Sequence, residues 1–360
     1  MKSKIRVGVI FGGRSAEHEV SLVSATSVIK SLDKKKYEIV PIGITLDGRW
    51  LSSPDVLNIF KAKKNLNRLP EKYILPDPAK QNLDVVFPVV HGTFGEDGTI
   101  QGLFELAGIP YVGAGVLGSS AGMDKVITKQ LCEHEGIPVS PYFWFLKSEY
   151  DKGSNKVINS IERSLTYPYF VKPANLGSSV GISKAHNRKD LVAAIKLAAK
   201  YDRKILIEES IEDAREIEIS VLGNDDPIAS LPGEIISSNE FYDYDAKYVD
   251  GKSESVIPAV LPKKIIDRLK DLSVRGFKAI DCAGMARIDF LVSRKTRKIY
   301  LNEINTIPGF TSISMYPKLW EASGIPYPKL LDCLITLAIE RYNQKCRLQT
   351  SFKPKKEWYK

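Results

Sequence analysis

Several features that would indicate particular classes of protein are missing from this sequence. No apolar run approaches the roughly 20 residues that span a bilayer. The four cysteines stand far apart, without a Cys-x-x-Cys pair, which argues against a zinc site and against a disulfide framework. We therefore predict a cytoplasmic protein that neither crosses nor binds a membrane, and we interpret its basic N-terminus as a first strand instead of a signal peptide.

Negative charge is in the minority: 52 Lys and Arg stand against 43 Asp and Glu, for a net charge of +9. A basic balance raises nucleic acid as a partner. However, residues 345–360 alone carry six Lys or Arg and one Glu, so more than half of the surplus lies at the C-terminus. We predict that 346–360 is a basic flexible tail and that the protein does not bind nucleic acid.

Strand and helix patterns alternate in the first third of the chain. The apolar runs at 4–11, 37–45 and 83–92 predict strands, and apolar side chains between Leu22 and Leu32 follow the spacing of one helix face. This alternation predicts a parallel α/β unit, whose ligands bind at the carboxyl ends of the strands. The segments "FGGRS" and "HGTFGEDG" lie at such ends.

The character of the sequence changes near residue 120, where glycine and serine become frequent. Strand patterns with a glycine-rich turn follow and predict an antiparallel sheet. We divide the chain into an N-terminal α/β domain (1–122), a central subdomain with the glycine-rich loop (123–209), a C-terminal subdomain (210–345) and the tail (346–360).

The most informative stretch is "ARIDFLVSRKTRKIYLNEIN", two strands joined by a polar turn. Pairing that is symmetric about Thr296 sets Asp289 opposite Glu303 and Arg287 opposite Asn305, all on one face. Two carboxylates and an amide oxygen are ligands that hold Mg²⁺ against substrate phosphates. Arg287 beside them suits phosphate oxygens or a developing oxyanion. The alternative is a half-exposed hairpin whose polar face is only solvated.

Two lysines suggest a nucleotide site. Lys172 ends the strand in "FVKPANLGSSVG", and the turn after it offers N–H groups and hydroxyls to a triphosphate, although an ordinary hairpin turn explains the pattern equally well. Asp124 predicts an N-cap, so Lys125 would oppose the helix dipole unless an anion binds there. A solvated surface lysine is the alternative. Glu208 and Glu216 on later strands are candidates for adenine and ribose contacts.

Together these motifs and "NEINTIPGFTS" resemble the ATP-grasp enzymes. With "GGRSAEHEVS", "HGTFGEDGTIQG" and "FYDYDAKY" added, the chain is similar to the D-alanine–D-alanine ligase family from about residue 4 to 335. The resemblance implies an α/β, three-domain ATP-grasp architecture, in which an N-terminal parallel α/β domain is followed by two α+β domains that sandwich ATP. It also implies a reaction in two steps for peptidoglycan precursor synthesis. ATP phosphorylates the carboxylate of one D-alanine, and the amine of a second D-alanine attacks the acyl phosphate.

The resemblance also implies roles for individual residues. The metal ligands for two Mg²⁺ (or Mn²⁺) would be Asp289, Glu303 and Asn305, with Glu303 bridging. The nucleotide contacts would be Lys125, Lys172, Ser179, Glu208, Glu216 and Lys247. The catalytic set would be Glu17, Ser178, Tyr248, Arg287, Gly309 and Ser314.

Within that set, Glu17, Ser178 and Tyr248 would link the first domain, the glycine loop and the long tyrosine-rich loop, and Glu17 would meet the ammonium of the first D-alanine. Arg287 and the N–H of Gly309 would stabilise the tetrahedral centre. A further catalytic residue, Ser314, would fix the carboxylate of the second D-alanine. The resemblance suggests a homodimer, and it leaves the role of His91 open.

Three other functions deserve comparison. A nicotinamide-dependent oxidoreductase is disfavoured, because "FGGRSAEHEV" is not G-x-G-x-x-G. A non-catalytic ATP-binding protein is disfavoured by Arg287 and the full set of metal ligands. A ligase that joins D-alanine to D-lactate or D-serine stays open, although the tyrosine-rich "FYDYDAKY" resembles the enzymes that use D-alanine.

Overall fold

Three β-sheets organise the computed structural model, which describes residues 4–61, 82–236 and 254–352. The N-terminal sheet has the strand order β3-β2-β1-β4. Its parallel strands lie where apolar runs predicted them, and β3 is an antiparallel edge strand. The strands are β1 (Ile5–Gly12), β2 (Tyr37–Ile44), β3 (Trp50–Ser52) and β4 (Val85–Pro88).

Helices cover this sheet as the sequence predicts. Helix α1 (His18–Ser31) buries Leu22, Ala25 and Val28 against β1, because these side chains recur at helical spacing. A short helix, α2 (Val56–Lys61), was not predicted. Helix α3 (Thr99–Ala107) ends at Gly108, which has a φ of 63°, a left-handed conformation that favours glycine.

The central sheet is antiparallel throughout, with the order β5-β8-β6-β7, and this confirms the prediction from the glycine-rich turn. Its elements, with the helices around them, are α5 (Lys125–His134), β5 (Tyr142–Leu146), α6 (Lys147–Ser164), β6 (Tyr169–Pro173), β7 (Ser183–Ala185), α7 (Arg188–Ala198) and β8 (Lys204–Glu209).

The large sheet follows the order β12-β11-β9-β13-β14, and β10 pairs with β9. Helix α8 packs on it, burying Leu269, Leu272 and Phe277. The elements are β9 (Ala214–Gly223), β10 (Ile228–Ala229), β11 (Gly233–Ile236), β12 (Glu254–Val256), α8 (Lys263–Ala279), β13 (Gly284–Ser293) and β14 (Ile299–Asn305).

The glycine- and serine-rich segment near residue 120 forms a helix, α4 (Val116–Met123). Its glycines allow a close approach to the large sheet. A Cβ at Gly118 would lie 2.7 Å from the carbonyl oxygen of Asp281, and a Cβ at Gly122 would lie 2.8 Å from Thr306 Cγ2. The glycines therefore serve helix packing here.

The last helices return to the N-terminal sheet. Helix α9 (Met315–Ala322) is followed by α10 (Tyr327–Cys346). The buried face of α10, which includes Leu331 and Leu334, shares one apolar core with β1, β4 and α1. The division of the chain into domains stays a prediction. Within the described ranges, no helix combines the length and apolar character needed to cross a membrane.

Candidate functional site

A cleft with a volume of about 280 Å³ lies between the sheets. Its walls come from the loops after β1 and β4, from the turn after β6, and from β13 and β14, which contribute Glu17, His91, Ser178, Arg287 and Glu303 respectively. The parallel strands thus point their carboxyl ends at the cleft, where an α/β sheet binds its ligands.

The β13–β14 hairpin has the predicted register at the cleft. Asp289 pairs with Glu303, and Arg287 pairs with Asn305. The register shifts between Asp289 and Phe290, so that Asn302 forms a β-bulge that the symmetric pairing did not predict. Because the bulge lies beyond the paired carboxylates, the predicted face stays intact.

Arg287 is held by carboxylates on two strands. Its Nε and Nη2 donate to the two carboxylate oxygens of Asp289 at 2.8 and 2.7 Å, and Nε lies 3.1 Å from Glu218 Oε2. Burial would lower the pKa of Arg287, but Asp289 and Glu218 outweigh it and raise the pKa well above its ordinary value. A fixed cation therefore faces the cleft.

The donor set of the hairpin suits a magnesium ion that also binds phosphate. Among the residues described, no three His, Cys, Asp or Glu side chains stand together as a metal site. Asp289 and Glu303 are directly opposed, with Asn305 two residues along on the same face. Mg²⁺ binds through one or two carboxylates and takes its other ligands from water and substrate phosphates. The residues therefore fit Mg²⁺ with a bound nucleotide.

Lys125 is a buried cation at the edge of the cleft. Asp124 caps α5 as predicted, accepting from the N–H groups of Val126 and Ile127 at 3.1 and 3.2 Å. Lys125 Nζ donates to the carbonyl of Leu176 at 2.7 Å and lies 4.0 Å from Glu303 Oε2. Burial lowers its pKa. The alternative of a solvated surface lysine is wrong, since only 8% of Lys125 is exposed.

The structure brings Glu17 and the glycine turn together. The Ser178 hydroxyl donates to Glu17 Oε1, and a Cβ at Gly177 would lie 2.8 Å from Glu17 Oε2. Ser178 and Ser179 adopt φ values of 51° and 59°, a left-handed conformation that costs about 1–2 kcal/mol per residue. Ser178 lines the cleft, whereas Ser179 does not. The first domain and the turn are therefore in direct contact.

Other predicted residues lie outside the cleft lining. The carboxylate of Glu208 forms ion pairs with Lys172 and with Lys129. Glu216 lies on β9 on the same face as Glu218, two residues along. The predicted contacts of Lys247 and Tyr248 fall outside the described residues.

His91 belongs to a buried network behind the cleft. Its Nδ1 is 3.0 Å from the carbonyl oxygen of Ile307 and must donate to it, so the neutral ring leaves Nε2 to accept from Ser24 Oγ at 3.0 Å. Ser24 Oγ in turn accepts from the N–H of Phe310 at 3.3 Å. Glu96 Oε1 lies 3.6 Å from His91 Nδ1. The network holds the turn that carries Gly309.

Ser314 precedes α9 but does not cap it. Its Oγ accepts from the N–H of Thr311 at 3.0 Å and shares a 2.7 Å hydrogen bond with Thr311 Oγ1. A Cβ at Gly309 would lie 2.6 Å from this oxygen, so a larger residue there would displace the Ser314 hydroxyl. The first N–H groups of α9, at Met315 and Tyr316, therefore have no side-chain cap and offer a positive end for an anion.

Four charged lining residues were missed by the sequence reasoning: Glu96, Glu218, Glu254 and Lys318. Glu218 follows Glu216 with strand spacing and pairs with Asp289 on β13, a partnership that only the register of the sheet reveals. Lys318 lies one helical turn after Ser314, and Glu96 lies within the quoted "HGTFGEDG". The spacing of Glu218 and Lys318 and the position of Glu96 in that motif were the sequence signals that could have identified these three residues.

Comparisons with known proteins cover most of the chain. The family model described as "D-ala D-ala ligase N-terminus" matches residues 6–114, and "D-ala D-ala ligase C-terminus" matches residues 131–336. The D-alanine–D-alanine ligase of Caldicellulosiruptor bescii is 53% identical over 362 residues, covering 97% of this chain and 99% of that protein. That of Natranaerobius thermophilus is 51% identical over 362 residues, with the same coverage.

Solved structures agree with the sequence relatives. The VanG D-Ala:D-Ser ligase from Enterococcus faecalis has a TM-score of 0.82 and 36% identity, covering 93% of this chain and 100% of that chain. The D-alanine–D-alanine ligase from Coxiella burnetii has a TM-score of 0.79 and 37% identity, covering 95% and 96%. The predicted multi-domain α/β fold of the ATP-grasp type is thereby confirmed.

Proposed function

The chain belongs to the D-alanine–D-alanine ligase family, and we propose that its cleft joins two D-alanine molecules at the expense of ATP. The products are D-alanyl-D-alanine, ADP and phosphate, and the dipeptide serves peptidoglycan synthesis. The observation that carries the proposal is the hairpin face on which Arg287, Asp289, Glu303 and Asn305 meet, beside Lys125.

In the first step, the terminal phosphoryl group of ATP passes to a carboxylate oxygen of the first D-alanine. The bond to the ADP oxygen breaks, and an acyl phosphate forms. The carboxylate of Glu17 supports this assignment because a negative charge suits the ammonium end of an amino acid. Lys125 and Lys172 would neutralise phosphate oxygens, so the protein contributes mainly by positioning and by charge.

In the second step, the amine of the second D-alanine loses a proton and attacks the carbonyl carbon. Phosphate then leaves and the peptide bond remains. Arg287 and the N–H of Gly309 would stabilise the charge on the tetrahedral oxygen. Ser314, with the uncapped start of α9, would hold the acceptor carboxylate.

Asp289, Glu303 and Asn305 would hold two Mg²⁺ or Mn²⁺ ions. When bound there, the ions supply positive charge for the phosphate oxygens. Glu208, Glu216, Ser179 and Lys247 remain proposed nucleotide contacts. Tyr248 remains the proposed third partner of Glu17 and Ser178.

D-Alanine is the proposed acceptor in preference to D-serine or D-lactate. The curated relatives reported above are named D-alanine–D-alanine ligases. One structural neighbour is a D-Ala:D-Ser ligase, so the fold alone does not choose the acceptor. The choice of acceptor is tested by supplying the three acceptors in competition and identifying the products by mass spectrometry. A dominant D-Ala-D-Ser or D-Ala-D-lactate product would contradict it.

The reaction itself is tested by incubating the protein with Mg²⁺, ATP and D-alanine. We expect one dipeptide for each ADP released, and no ADP when L-alanine replaces D-alanine. Release of phosphate without dipeptide would refute the ligase assignment. We also propose a cytoplasmic location, which suits the substrate ATP and the free thiols of all four cysteines.

A homodimer is the proposed assembly. Leu106 on α3 is 91% exposed and Leu117 on α4 is 62% exposed, and the two helices contact each other. Exposed apolar side chains on two contacting helices suit an interface with a second copy of the chain. Sedimentation velocity should detect a dimer that Leu106→Glu weakens. An unchanged dimer would exclude this surface.

A further inference from the structure

Lys129 is a buried lysine that has no role in the proposed reaction. It lies on α5 one turn after Lys125, is only 1% exposed and does not line the cleft. Its Nζ forms an ion pair with Glu208 and a 3.1 Å hydrogen bond with Ser140 Oγ. A buried ammonium is costly unless it is paired. Its position therefore depends on Glu208.

Glu208 is shared between two lysines that differ in their surroundings. Oε1 faces Lys129 and accepts from Ser140 Oγ at 3.1 Å, whereas Oε2 faces Lys172. The Lys129 side chain is 1% exposed, but that of Lys172 is 11% exposed. Lys172 Nζ also donates to Asn302 at 3.3 Å, on the strand that carries Glu303. Lys172 is thus the lysine that can turn toward a phosphate, and Lys129 is the fixed one.

We propose that Lys129 is a positioning residue, which keeps Glu208 charged and in place when Lys172 exchanges Glu208 for a nucleotide phosphate. This inference rests on the proposed function, in which Lys172 and Glu208 both contact ATP. If Lys129 were neutral, the exchange would leave a buried carboxylate without a cation. Glu208 would then either retain Lys172 or take up a proton, and both responses weaken nucleotide binding.

Protonation of Glu208, the second of these responses, can be measured because the surrounding charges control the pKa of this carboxylate. Burial would raise the pKa of Glu208, but Lys129 and Lys172 outweigh it and lower the pKa to about 2. Removing the Lys129 charge removes part of that effect, so protonation of Glu208 moves toward neutral pH. The ionisable groups that face Glu208 are Lys129 on α5, Lys172 on β6, Tyr142 on β5 and, at longer range, Lys125.

The test compares Lys129→Gln, which keeps a hydrogen-bond donor without the charge, with Lys129→Arg, which keeps the charge. For Lys129→Gln we expect the KM for ATP to rise about tenfold at pH 8, as one pKa unit of lost interaction implies, and further at pH 6. The KM for D-alanine should change little. Lys129→Arg should restore most of the affinity and a flat pH profile. Arg341→Gln, which removes a cation from contacts with Tyr111 and Gly113 outside the cleft lining, should lower stability and leave the KM for ATP unchanged.

A double-mutant cycle separates a positioning role from a structural one. If Lys129 acts through Glu208, adding Lys129→Gln to Glu208→Gln should not raise the KM for ATP further. Lys129→Gln alone keeps Glu208 paired with Lys172, whereas Glu208→Gln alone leaves two lysines without their carboxylate and the double variant leaves one. The double variant therefore serves also if Glu208→Gln alone does not fold. A further rise in the double variant, or a normal KM for ATP in Lys129→Gln at both pH values, would overturn the inference. If Glu208→Gln and Lys172→Gln also leave the KM for ATP unchanged, the proposed nucleotide contacts themselves are wrong.

Discussion

Glu303 lies on the hairpin face beside Lys125, with its Oε2 atom 4.0 Å from the lysine Nζ. Its side chain is 28% exposed, more than twice the exposure of Asp289 at 13%. Glu303 is therefore the more solvated of the two carboxylates, and when it is neutralised the buried Lys125 keeps its hydrogen bond to the carbonyl of Leu176. Its substitution separates the role of the charge in the reaction from its role in folding.

We expect Glu303→Gln to lower kcat by at least about 100-fold, as the loss of one preorganised charge at a reacting centre does. The melting temperature should change little, because the amide has the same shape. Glu321→Gln on α9, an exposed position, is the matched control and should keep wild-type activity. Near-normal turnover by Glu303→Gln would exclude Glu303 as a metal ligand.

Glu96 makes stability depend on pH in a direction that is unusual for a carboxylate. Burial raises its pKa from 4.5 to about 7, and the charge of Glu17 adds to the shift, whereas His91 opposes it. Between these values the folded protein keeps a proton that the unfolded chain has released, so stability falls as pH rises from about 4.5 to about 7. His91 adds to the same trend, since its pKa is raised despite burial through its contact with Glu96.

Urea unfolding at pH 5 and pH 7 measures this effect. The free energy of unfolding of the wild type should fall by about 1–3 kcal/mol relative to Glu96→Gln over that interval. The comparison with the variant removes the contribution of groups that do not contact Glu96, and it reports Glu96 together with the part of the His91 shift that Glu96 causes. Equal pH dependence of the two proteins would show that Glu96 ionises normally.

At the scale of single elements, local sequence patterns were sufficient to predict a helix or strand wherever one of its faces is buried. Apolar runs and the spacing of apolar residues predicted β1 and α1, and the polar turn around Thr296 predicted the pairing of Asp289 with Glu303. The symmetric pairing did not predict the bulge at Asn302, whose side chain accepts a hydrogen bond from Lys172, a residue outside the hairpin. In the same way, the position of Glu218 opposite Asp289 depends on the pairing of β9 with β13.

Helix α4 illustrates a second reason for a missed element. Glycine disfavours helices by about 1 kcal/mol relative to alanine, so "VLGSSAGM" does not read as a helix. Tertiary packing outweighs that propensity, since Gly118 and Gly122 let α4 approach the large sheet closely. Such contacts are invisible in a single sequence.

Two glycine-to-alanine substitutions on neighbouring helices test this explanation. Gly118→Ala should destabilise the protein by about 1–3 kcal/mol, the usual cost of overpacking, because the new Cβ would lie 2.7 Å from the Asp281 carbonyl oxygen. Gly102→Ala on α3 is the matched control. No atom lies within 4 Å of its Cβ position, so it should stabilise the protein by about 0.5–1 kcal/mol. Thermal unfolding measures both, and equal effects would contradict the packing explanation.

At the scale of the whole molecule, the last helix joins the two ends of the chain. Asp332 on α10 accepts from Lys36 at 2.6 Å and from Tyr37 at 2.9 Å, and Arg341 donates to the carbonyl groups of Gly113 and Tyr111. These contacts hold α10 against the N-terminal sheet, whose strands β1 and β4 lead into the loops that line the cleft. The core of the N-terminal sheet therefore includes residues from the far end of the sequence, a feature that no local pattern predicts.

Truncation from the C-terminus should therefore have a sharp limit. Removing 347–360 deletes the basic residues beyond α10 and only exposed positions among those described up to 352, so melting temperature and the KM for ATP should stay close to wild type. Leu334→Ala within α10 should cost about 2–5 kcal/mol, because Leu334 is fully buried in the shared core. Removing all of α10 should abolish folding, since Leu330, Leu331 and Ile335 would be lost with it. A stable, active protein without α10 would mean that the core of the N-terminal sheet forms without the helix. The sheet alone would then position the loops at the cleft.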